Sequence, residues 1–254
     1  MPAELDAIIQ VRNLCYEIGG RQILEDLSFE VYRGETFGVM GMSGSGKSTL
    51  LKNLMGLVRA TSGEIVIDGQ HITGLSESEL MKPRAKMGMC FQYAALFDSM
   101  TVGENVAFGL RRRGELTDEE IDTRVRGLLG EVGLGESRDR MPAELSGGMR
   151  KRVGIARALA LEPALLLYDE PSAGLDPITA AVIDRLITKL GDRMGVTSVV
   201  VTHEVEELFS ISDRVMMIHD HRIVACDTPE RMRTTGNLIV QQFVRGQAEG
   251  PIQV

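Results

Sequence analysis

The segment Gly41–Ser48 constrains the fold of this chain more than any other feature. Its sequence, GMSGSGKS, matches the phosphate-loop pattern G-x-x-x-x-G-K-[ST] at every fixed position. Phe37, Val39 and Met40 precede it in a predicted buried strand, and residues 49–55 follow with helical periodicity. A glycine loop between a strand and a helix lets backbone N–H groups surround phosphate oxygens at the positive end of the helix. The segment therefore predicts an α/β domain that binds a nucleotide.

The residues of this loop have distinct predicted contacts. The side chain of Lys47 can reach the outer phosphates, and the hydroxyl of Ser48 can bind Mg²⁺. We predict that the loop and the first residues of its helix contact the nucleotide through Gly41, Met42, Ser43, Gly44, Ser45, Gly46, Lys47, Ser48 and Thr49.

Length and composition limit the other possibilities. A chain of 254 residues permits one large α/β domain or a domain with a subdomain. Its net charge of -8 argues against a nucleic-acid-binding surface. Three scattered cysteines suit a reducing compartment and predict no disulfide framework or metal site. No signal-peptide pattern and no apolar run of about 20 residues is present, so we expect a soluble cytosolic protein whose membrane role comes through partners.

The order of predicted elements indicates a sheet domain with a helical insertion. Strands are predicted at Ile8–Leu14, Leu27–Val31, Thr36–Met40, Gly63–Gly69 and Met87–Phe91. Helices are then predicted at Ser99–Leu110, Thr117–Leu134 and Gly147–Leu161. The sheet core would comprise residues 1–93 and 162–254, with residues 94–161 as the inserted helical subdomain.

Strands and helices alternate after the insertion, which favours a mostly parallel sheet. The predicted order is strand Ala164–Tyr168, helix Pro177–Arg193, strand Thr197–Val201, helix Val205–Ile211 and strand Arg214–Ile218. The chain past Thr228 is predicted to be helical and then polar.

Two carboxylates, Asp169 and Glu170, end the apolar strand that follows the insertion. Ligands bind beyond the carboxyl ends of strands in a parallel sheet, so we expect Asp169 near the phosphate loop, where it can hold Mg²⁺. Glu170 points differently and is suited to act as general base on a water aimed at the terminal phosphate. Without the phosphate loop, the pair would indicate only a solvated strand end.

A third motif, Leu145–Met149 with the sequence LSGGM, precedes a helix rich in Arg and Ala. Ser146 as N-cap, followed by two glycines, leaves N–H groups available to an anion. Alone this signal is weak, because S-G-G is a common loop. The order of phosphate loop, lone glutamine, L-S-G-G-x and a strand ending Asp-Glu resembles the ATP-binding cassette (ABC) ATPases from Val11 to about Met232.

The resemblance implies a P-loop ABC cassette with a mostly parallel central sheet, an antiparallel β subdomain and an inserted helical subdomain. Gln92 matches the Q-loop glutamine, directed toward Mg²⁺ and the attacking water. Residues 172–176 match the D-loop, and His203 matches the switch histidine that contacts the γ-phosphate. ATP and Mg²⁺ are the implied ligands, with Ser48, Gln92 and Asp169 around the metal.

The resemblance also implies a head-to-tail homodimer that encloses two nucleotides. Ser146, Gly147 and Gly148 would complete the site of the second chain. Two departures stand out: Met149 replaces the usual glutamine, and Ile18 lies where an adenine-stacking aromatic is expected. Tyr16 is the nearest aromatic. Adenine is therefore expected to meet an aliphatic side chain, with loose base selectivity.

Several segments resemble the ATPases of MCE-type lipid transporters, above all the MlaF type of the Mla phospholipid system. They are residues 92–102, 104–108, 149, 176–179 and 242–251. The resemblance implies phospholipid transport between inner and outer membrane and a peripheral position on the cytoplasmic face of the inner membrane. It also implies a membrane permease (MlaE-like), an MCE-domain protein (MlaD-like), in many cases a STAS-domain protein (MlaB-like), and no nucleic acid. Apolar residues after Gln92 are expected to receive a helix of the permease.

Three alternatives remain open. Importer cassettes for polar amino acids share most of these motifs and a similar length. Some ABC ATPases act in translation or DNA repair, but those carry two cassettes or long coiled-coil insertions, and this chain shows neither. An inactive nucleotide-binding module is opposed by the presence of Glu170 and His203. Substrate contacts lie on the membrane subunit, so these motifs specify neither the lipid, the direction of transport nor the permease.

Overall fold

The computed structural model describes residues 6–253, which form two β-sheets flanked by helices. The strands, in chain order, are β1 Ala7–Ile18, β2 Arg21–Tyr32, β3 Thr36–Met40, β4 Ser62–Ile67, β5 Gln70–His71, β6 Met87–Cys90, β7 Leu165–Asp169, β8 Thr197–Val201, β9 Arg214–His219 and β10 Arg222–Asp227. One sheet is antiparallel, with the order β2-β1-β4-β5. The other has the order β10-β9-β3-β8-β7-β6.

This larger sheet is parallel except at one edge. Strand β3 pairs in parallel with β8 and β9, and β7 pairs in parallel with β6 and β8. Every residue of β3, β6, β7 and β8 is buried, as expected of strands covered on both faces. The predicted fold class, with a mostly parallel sheet beside an antiparallel one, is confirmed.

Strands β1 and β2 extend beyond the predicted runs, and the short β5 and the edge strand β10 were not predicted. Strand β10, antiparallel to β9, has no counterpart in the sequence prediction; its apolar run is only four residues long, and no residue of this edge strand is fully buried. Strands β1 and β2 continue as a hairpin to a turn at Gly19–Gly20, and in this extension only Leu24 is buried, so cross-strand pairing contributes much of what maintains the strands.

The helices, in chain order, are α1 Lys47–Leu54, α2 Glu77–Arg84, α3 Val102–Arg113, α4 Asp118–Glu131, α5 Gly147–Leu159, α6 Pro177–Met194, α7 Val205–Ile211, α8 Pro229–Thr234 and α9 Leu238–Arg245. Within residues 6–253, none of them combines the length and apolarity that crossing a membrane requires.

Helices α3, α4 and α5 follow one another between β6 and β7, where the sequence predicts helices. Helix α3 begins three residues later than predicted because Thr101 is its N-cap. The hydroxyl of Thr101 accepts from the N–H of Glu104 at 3.2 Å, and the Glu104 carboxylate accepts from the N–H of Thr101 at 2.8 Å. The division of the chain at residues 94 and 161 stays a prediction.

Helix α2 is absent from the sequence prediction. It begins with a similar capping box between Ser76 and Glu79. Only Leu80 and Pro83 of this helix are buried, so there is no apolar periodicity for a sequence pattern to detect.

Alternate residues of β7 point into two different cores. Leu166 and Tyr168 pack in a core with helices α3 to α5. Leu165 and Leu167 pack in a second core with α1 and the antiparallel sheet. The parallel sheet therefore lies between two apolar layers, and the end of β7 is held from both sides.

The segment after α9 folds back onto that helix. The side-chain amide of Gln242 donates to the carbonyl of Ile252 at 3.0 Å, and its oxygen accepts from the N–H of Ile252 at 2.7 Å. Ile252 is only 6% exposed. A polar tail is therefore attached through one glutamine and one buried isoleucine.

Candidate nucleotide-binding site

The phosphate loop connects β3 to α1 in a tight path. Gly46 has φ +99°, and a Cβ atom there would lie 2.7 Å from Cδ2 of Leu24 and 2.8 Å from the carbonyl oxygen of Ile23. Both neighbours belong to β2, so the antiparallel sheet lies directly against the loop. Only glycine fits this backbone and this space.

Backbone donors of the loop are available to an anion. Within residues 6–253, the N–H groups of Gly46, Lys47 and Ser48 form no hydrogen bond to the protein. They lie at the first turn of α1, where the helix dipole also favours negative charge. The loop is therefore suited to bind phosphate oxygens.

Lys47 is held inside the loop. Its ammonium donates to the carbonyl oxygens of Gly41 at 2.7 Å and Met42 at 2.9 Å, and the residue is 6% exposed. Burial lowers the pKa of Lys47, while the negative charges of Glu170 and Asp169 oppose this shift. A buried cation among glycine N–H groups matches the charge of a nucleotide's outer phosphates.

Ser48 and Asp169 meet across the sheet. The hydroxyl of Ser48 donates to Oδ1 of Asp169 at 2.7 Å. Burial raises the pKa of Asp169, and the hydrogen bond from Ser48 opposes this change. Among residues 6–253, no group of three or more His, Cys, Asp or Glu side chains could hold a metal by itself. The Ser48 hydroxyl and the Asp169 carboxylate offer two oxygen ligands, and phosphate oxygens could supply others. Mg²⁺ is usually bound in this way in phosphoryl-transfer sites, by one or two protein oxygens together with the phosphates.

Glu170 and His203 form a pair. The Glu170 carboxylate lies 2.9–3.0 Å from Nδ1 of His203 and accepts from the hydroxyl of Thr202 at 3.2 Å. The sequence gives Glu170 and His203 separate roles, and their direct contact is a structural finding. Thr202 was not among the predicted site residues; its place beside His203 is its only sequence signal.

Gln92 lies just beyond β6, at the same edge of the sheet. Cys90 pairs with Tyr168, so Gln92 and Glu170 each lie two residues beyond this pair on neighbouring strands. Gln92 is partly buried, but its side chain forms no hydrogen bond to Ser48 or Asp169 in the described chain. The backbone bends sharply after it at Ala94 and Ala95, which have φ values of +59° and +47°.

The LSGGM motif begins α5 as predicted. The hydroxyl of Ser146 accepts from the N–H of Met149 at 3.3 Å. A Cβ atom on Gly148 would lie 2.4 Å from Cγ2 of Thr179, so this end of α5 packs tightly on the first turn of α6. No hydrogen bond joins residues 146–148 to the phosphate loop within the part of the chain that the structure describes. One chain does not bring these two predicted anion sites together.

The predicted adenine position is exposed. Ile18 ends β1 and is 60% exposed. Tyr16 is partly buried against the second core, which includes Leu24, its partner across the hairpin. The register of the hairpin shifts between Tyr16 and Glu17. Tyr16 and Ile18 are therefore not in equivalent positions along the strand, although they are two residues apart.

Comparisons with known proteins decide the family. A family profile described as "ABC transporter" matches residues 24–173, more than half of the chain. The chain belongs to the ABC transporter family. The sequence-based assignment as an ABC ATPase is thereby confirmed.

Individual ABC relatives differ in coverage. An intermembrane phospholipid transport system ATP-binding protein, MlaF, from Haemophilus influenzae is 42% identical over 97% of this chain and 93% of its own length. A methionine import ATP-binding protein, MetN, from Carboxydothermus hydrogenoformans is 44% identical over 85% of this chain but only 65% of its own length. The ATP-binding cassette MJ0796, solved as a dimer in a post-hydrolysis state with ADP and Pi, has a TM-score of 0.80 and 34% identity over 87% of this chain and 98% of its own.

Proposed function

We propose that this ABC ATPase energises phospholipid transport between the inner and outer membranes. The arrangement of Ser48, Asp169, Glu170 and His203 at one edge of the sheet carries the assignment of hydrolysis. The nearly full-length match to the phospholipid transport relative supports the substrate class. In this proposal the chain acts at the cytoplasmic face of the inner membrane.

In this proposal, different residues bind the nucleotide and catalyse its hydrolysis. Gly41–Thr49 bind the phosphates of ATP, with the Lys47 ammonium facing the outer ones. Ser48, Asp169 and Gln92 would hold Mg²⁺, which neutralises charge on the phosphates. Glu170 accepts a proton from water as the water oxygen bonds to the γ-phosphorus and the bond to the bridging oxygen breaks. The products are ADP and phosphate.

His203 holds the Glu170 carboxylate in place through Nδ1. Thr202 donates to the same carboxylate, so the base is fixed by two neighbouring residues at the end of β8. The ring of His203 is exposed, but its Nε2 lies 3.3 Å from a carboxylate oxygen of Glu204 and would have to leave that oxygen to contact a γ-phosphate. In this arrangement His203 connects the phosphate to the base.

Two chains would form each complete site. Ser146, Gly147 and Gly148 begin α5 but form no hydrogen bond to the phosphate loop of their own described chain, and the MJ0796 cassette is a dimer. Their N–H groups would add contacts to the nucleotide of the second chain when the dimer closes.

A mixture of two defective chains tests this composite site. A dimer of Ser146→Arg and Lys47→Ala chains contains one intact site, so we expect ATP hydrolysis above that of either variant alone. Self-mixed samples of each variant serve as controls. No gain on mixing would show that the chains act singly.

Membrane partners follow from the same proposal. A permease, an MCE-domain protein and a STAS-domain protein are the expected partners. Tyr93 is 85% and Phe97 41% exposed in the segment after Gln92, whereas Leu96 packs on the core. Tyr93 and Phe97 are therefore the better candidates to receive the permease, and Tyr93→Asp should end copurification while leaving the isolated chain folded. Normal copurification of that variant would place docking elsewhere.

An amino acid importer is the second candidate, because the methionine import relative is also similar. It is less favoured, since that match leaves about a third of the relative uncovered. The complex purified from membranes through this chain and reconstituted in proteoliposomes separates the two. We expect ATP-dependent transfer of fluorescent phospholipid and no uptake of radiolabelled methionine, with Glu170→Gln as the inactive control. Methionine uptake without lipid transfer would reverse the assignment.

A further inference from the structure

One side of α5 contacts both segments that follow β6 and β7. Lys151, Gly154 and Arg157 are spaced three residues apart and so are neighbours on the helix surface. The ammonium of Lys151 donates to the carbonyl oxygen of Glu170 at 3.0 Å. Arg157 instead contacts the bend that follows Gln92.

The bend is held by this arginine. Its guanidinium donates to the carbonyl oxygens of Ala94 at 2.8 Å and Ala95 at 2.6 Å. A Cβ atom on Gly154 would lie only 3.4 Å from Cβ of Ala94, so the helix backbone packs closely on the bend. Helix α5 is therefore attached to the segment that carries Gln92.

Glu170 has an unusual backbone. Its φ is +49°, a left-handed conformation that is unfavourable for a non-glycine residue. Both of its backbone polar groups are paired: the N–H donates to the carbonyl of Val201 at 2.8 Å, and the carbonyl accepts from Lys151 at 3.0 Å and, more weakly, from the N–H of Ala173 at 3.3 Å. Contacts from β8 and α5 thus maintain the conformation in which the carboxylate meets Thr202 and His203.

Two opposing influences act on the charge of Lys151. The side chain is half-buried, and burial lowers the pKa of Lys151 while the charges of Glu170 and then Glu207 oppose that shift. A hydrogen bond from a charged donor is stronger than one between neutral groups. Loss of the ammonium would leave the Glu170 carbonyl with only the longer hydrogen bond from the N–H of Ala173.

We propose that Lys151 is a positioning residue for ATP hydrolysis, which holds residue 170 in its left-handed conformation and so aims the Glu170 carboxylate. Because Arg157 holds the bend after Gln92 from the same helix, a movement of α5 changes the positions of Glu170 and Gln92 together. The inference rests on the proposed function, in which Glu170 is the general base.

Substitution of Lys151 in the full chain provides the first test. We expect Lys151→Met to lower kcat about tenfold, with KM and the Kd for ATP within about twofold of wild type, since the loss of one charge-assisted hydrogen bond acts on the base rather than on binding. Lys151→Arg, which keeps a charged donor, should restore most of the rate. Lys189→Met is the matched control, because Lys189 bonds Glu131 at 3.3 Å on the surface of α6.

A second test asks whether Lys151 acts through residue 170. In a Glu170→Gln background, addition of Lys151→Met should lower the residual hydrolysis rate by less than about twofold. A further tenfold loss would overturn the inference, because Lys151 would then act independently of the carboxylate. Thermal unfolding of each variant shows whether the protein is folded.

The outcomes separate this inference from the proposed function. A Lys151→Met chain with wild-type kcat, alongside an inactive Glu170→Gln chain, would overturn only the role of Lys151. A Glu170→Gln chain with wild-type kcat would overturn the role of Glu170 as base. If Lys151→Met does not fold, Lys151→Arg and Lys151→Gln decide: a higher kcat for arginine at equal Kd supports the inference, and equal kcat values overturn it.

Discussion

The loops that follow β3 and β6 both use left-handed backbone, but they achieve it by different means. In the phosphate loop the residues are Gly44 and Gly46, with φ values of +80° and +99°. After β6 they are Ala94 and Ala95, for which this conformation costs roughly 1–2 kcal/mol each. Glycine adopts it freely, whereas the two alanines depend on hydrogen bonds from Arg157.

This difference shows which of the two loops keeps its shape through its own sequence and which depends on another element. The phosphate loop takes its shape from its own sequence and from the β2 strand beside it. The bend after Gln92 takes its shape from α5, a helix whose first residues are expected to face a second chain. We therefore expect the first loop to govern nucleotide binding and the second to govern turnover.

The largest effect should come from Gly46→Ala. The new Cβ would overlap Ile23 and Leu24, and the backbone would be strained in addition, so we expect the Kd for ATP to rise by about a hundredfold. Titration with a fluorescent ATP analogue measures this. Gly127→Ala is the control, because it lies on α4 with no atom within 4 Å of the added carbon. Unchanged affinity for the Gly46 variant would remove the proposed difference between the loops.

Arg157→Lys should have a smaller effect of a different kind. A lysine ammonium cannot reproduce the two parallel hydrogen bonds of the guanidinium to Ala94 and Ala95. We expect kcat to fall about tenfold while the Kd for ATP stays within about twofold, since only the positioning of the Gln92 segment is weakened. Steady-state hydrolysis and nucleotide titration distinguish the two parameters. A loss confined to the Kd would contradict the division between the loops.

Changes at the adenine position should affect the affinity for ATP less than changes in the phosphate loop. Ile18 offers no aromatic face, so roughly 0.5–1.5 kcal/mol of stacking is missing. We expect the Kd values for ATP and GTP to agree within about a hundredfold, and Ile18→Trp to tighten ATP binding about two- to tenfold. A larger preference for ATP in the wild type would mean that another residue supplies base contacts.

The smallest effect should be that of Ala95→Gly. Removing the Cβ relieves the left-handed strain, so the free energy of unfolding should increase by up to about 1 kcal/mol. Ala85→Gly is the matched control, because Ala85 is also exposed but has an ordinary φ of -62°, and there glycine should destabilise the fold. Urea denaturation measures both. A destabilised Ala95→Gly chain would show that the bend carries no strain.

The sequence predicts the parts of this molecule whose signals are local. Glycine spacing predicts the phosphate loop, and the apolar run that becomes β7 predicts a buried strand ending at Asp169 and Glu170. These patterns need no knowledge of distant residues. The ABC transporter family and the α/β fold followed from their order along the chain.

The remaining features depend on residues that are distant in sequence. The contact between Glu170 and His203 spans two strands, and that between Lys151 and Glu170 joins a helix to a strand end. Nothing at position 151 distinguishes a solvated lysine from one that donates to a carbonyl. The bend at Ala94 and Ala95 was also beyond prediction, because alanine rarely adopts this conformation without tertiary support.

The hydrogen bonds between Gln242 and Ile252 bear on how the protein should be handled at the bench. An affinity tag fused directly behind residue 254 would be separated from the buried side chain of Ile252 by only two residues. A bulky fusion there would strain the attachment of the tail to α9, whereas a long glycine-serine spacer would leave it undisturbed. Changes in yield or melting temperature between short-linker and long-linker fusions would then report on this attachment rather than on the nucleotide site.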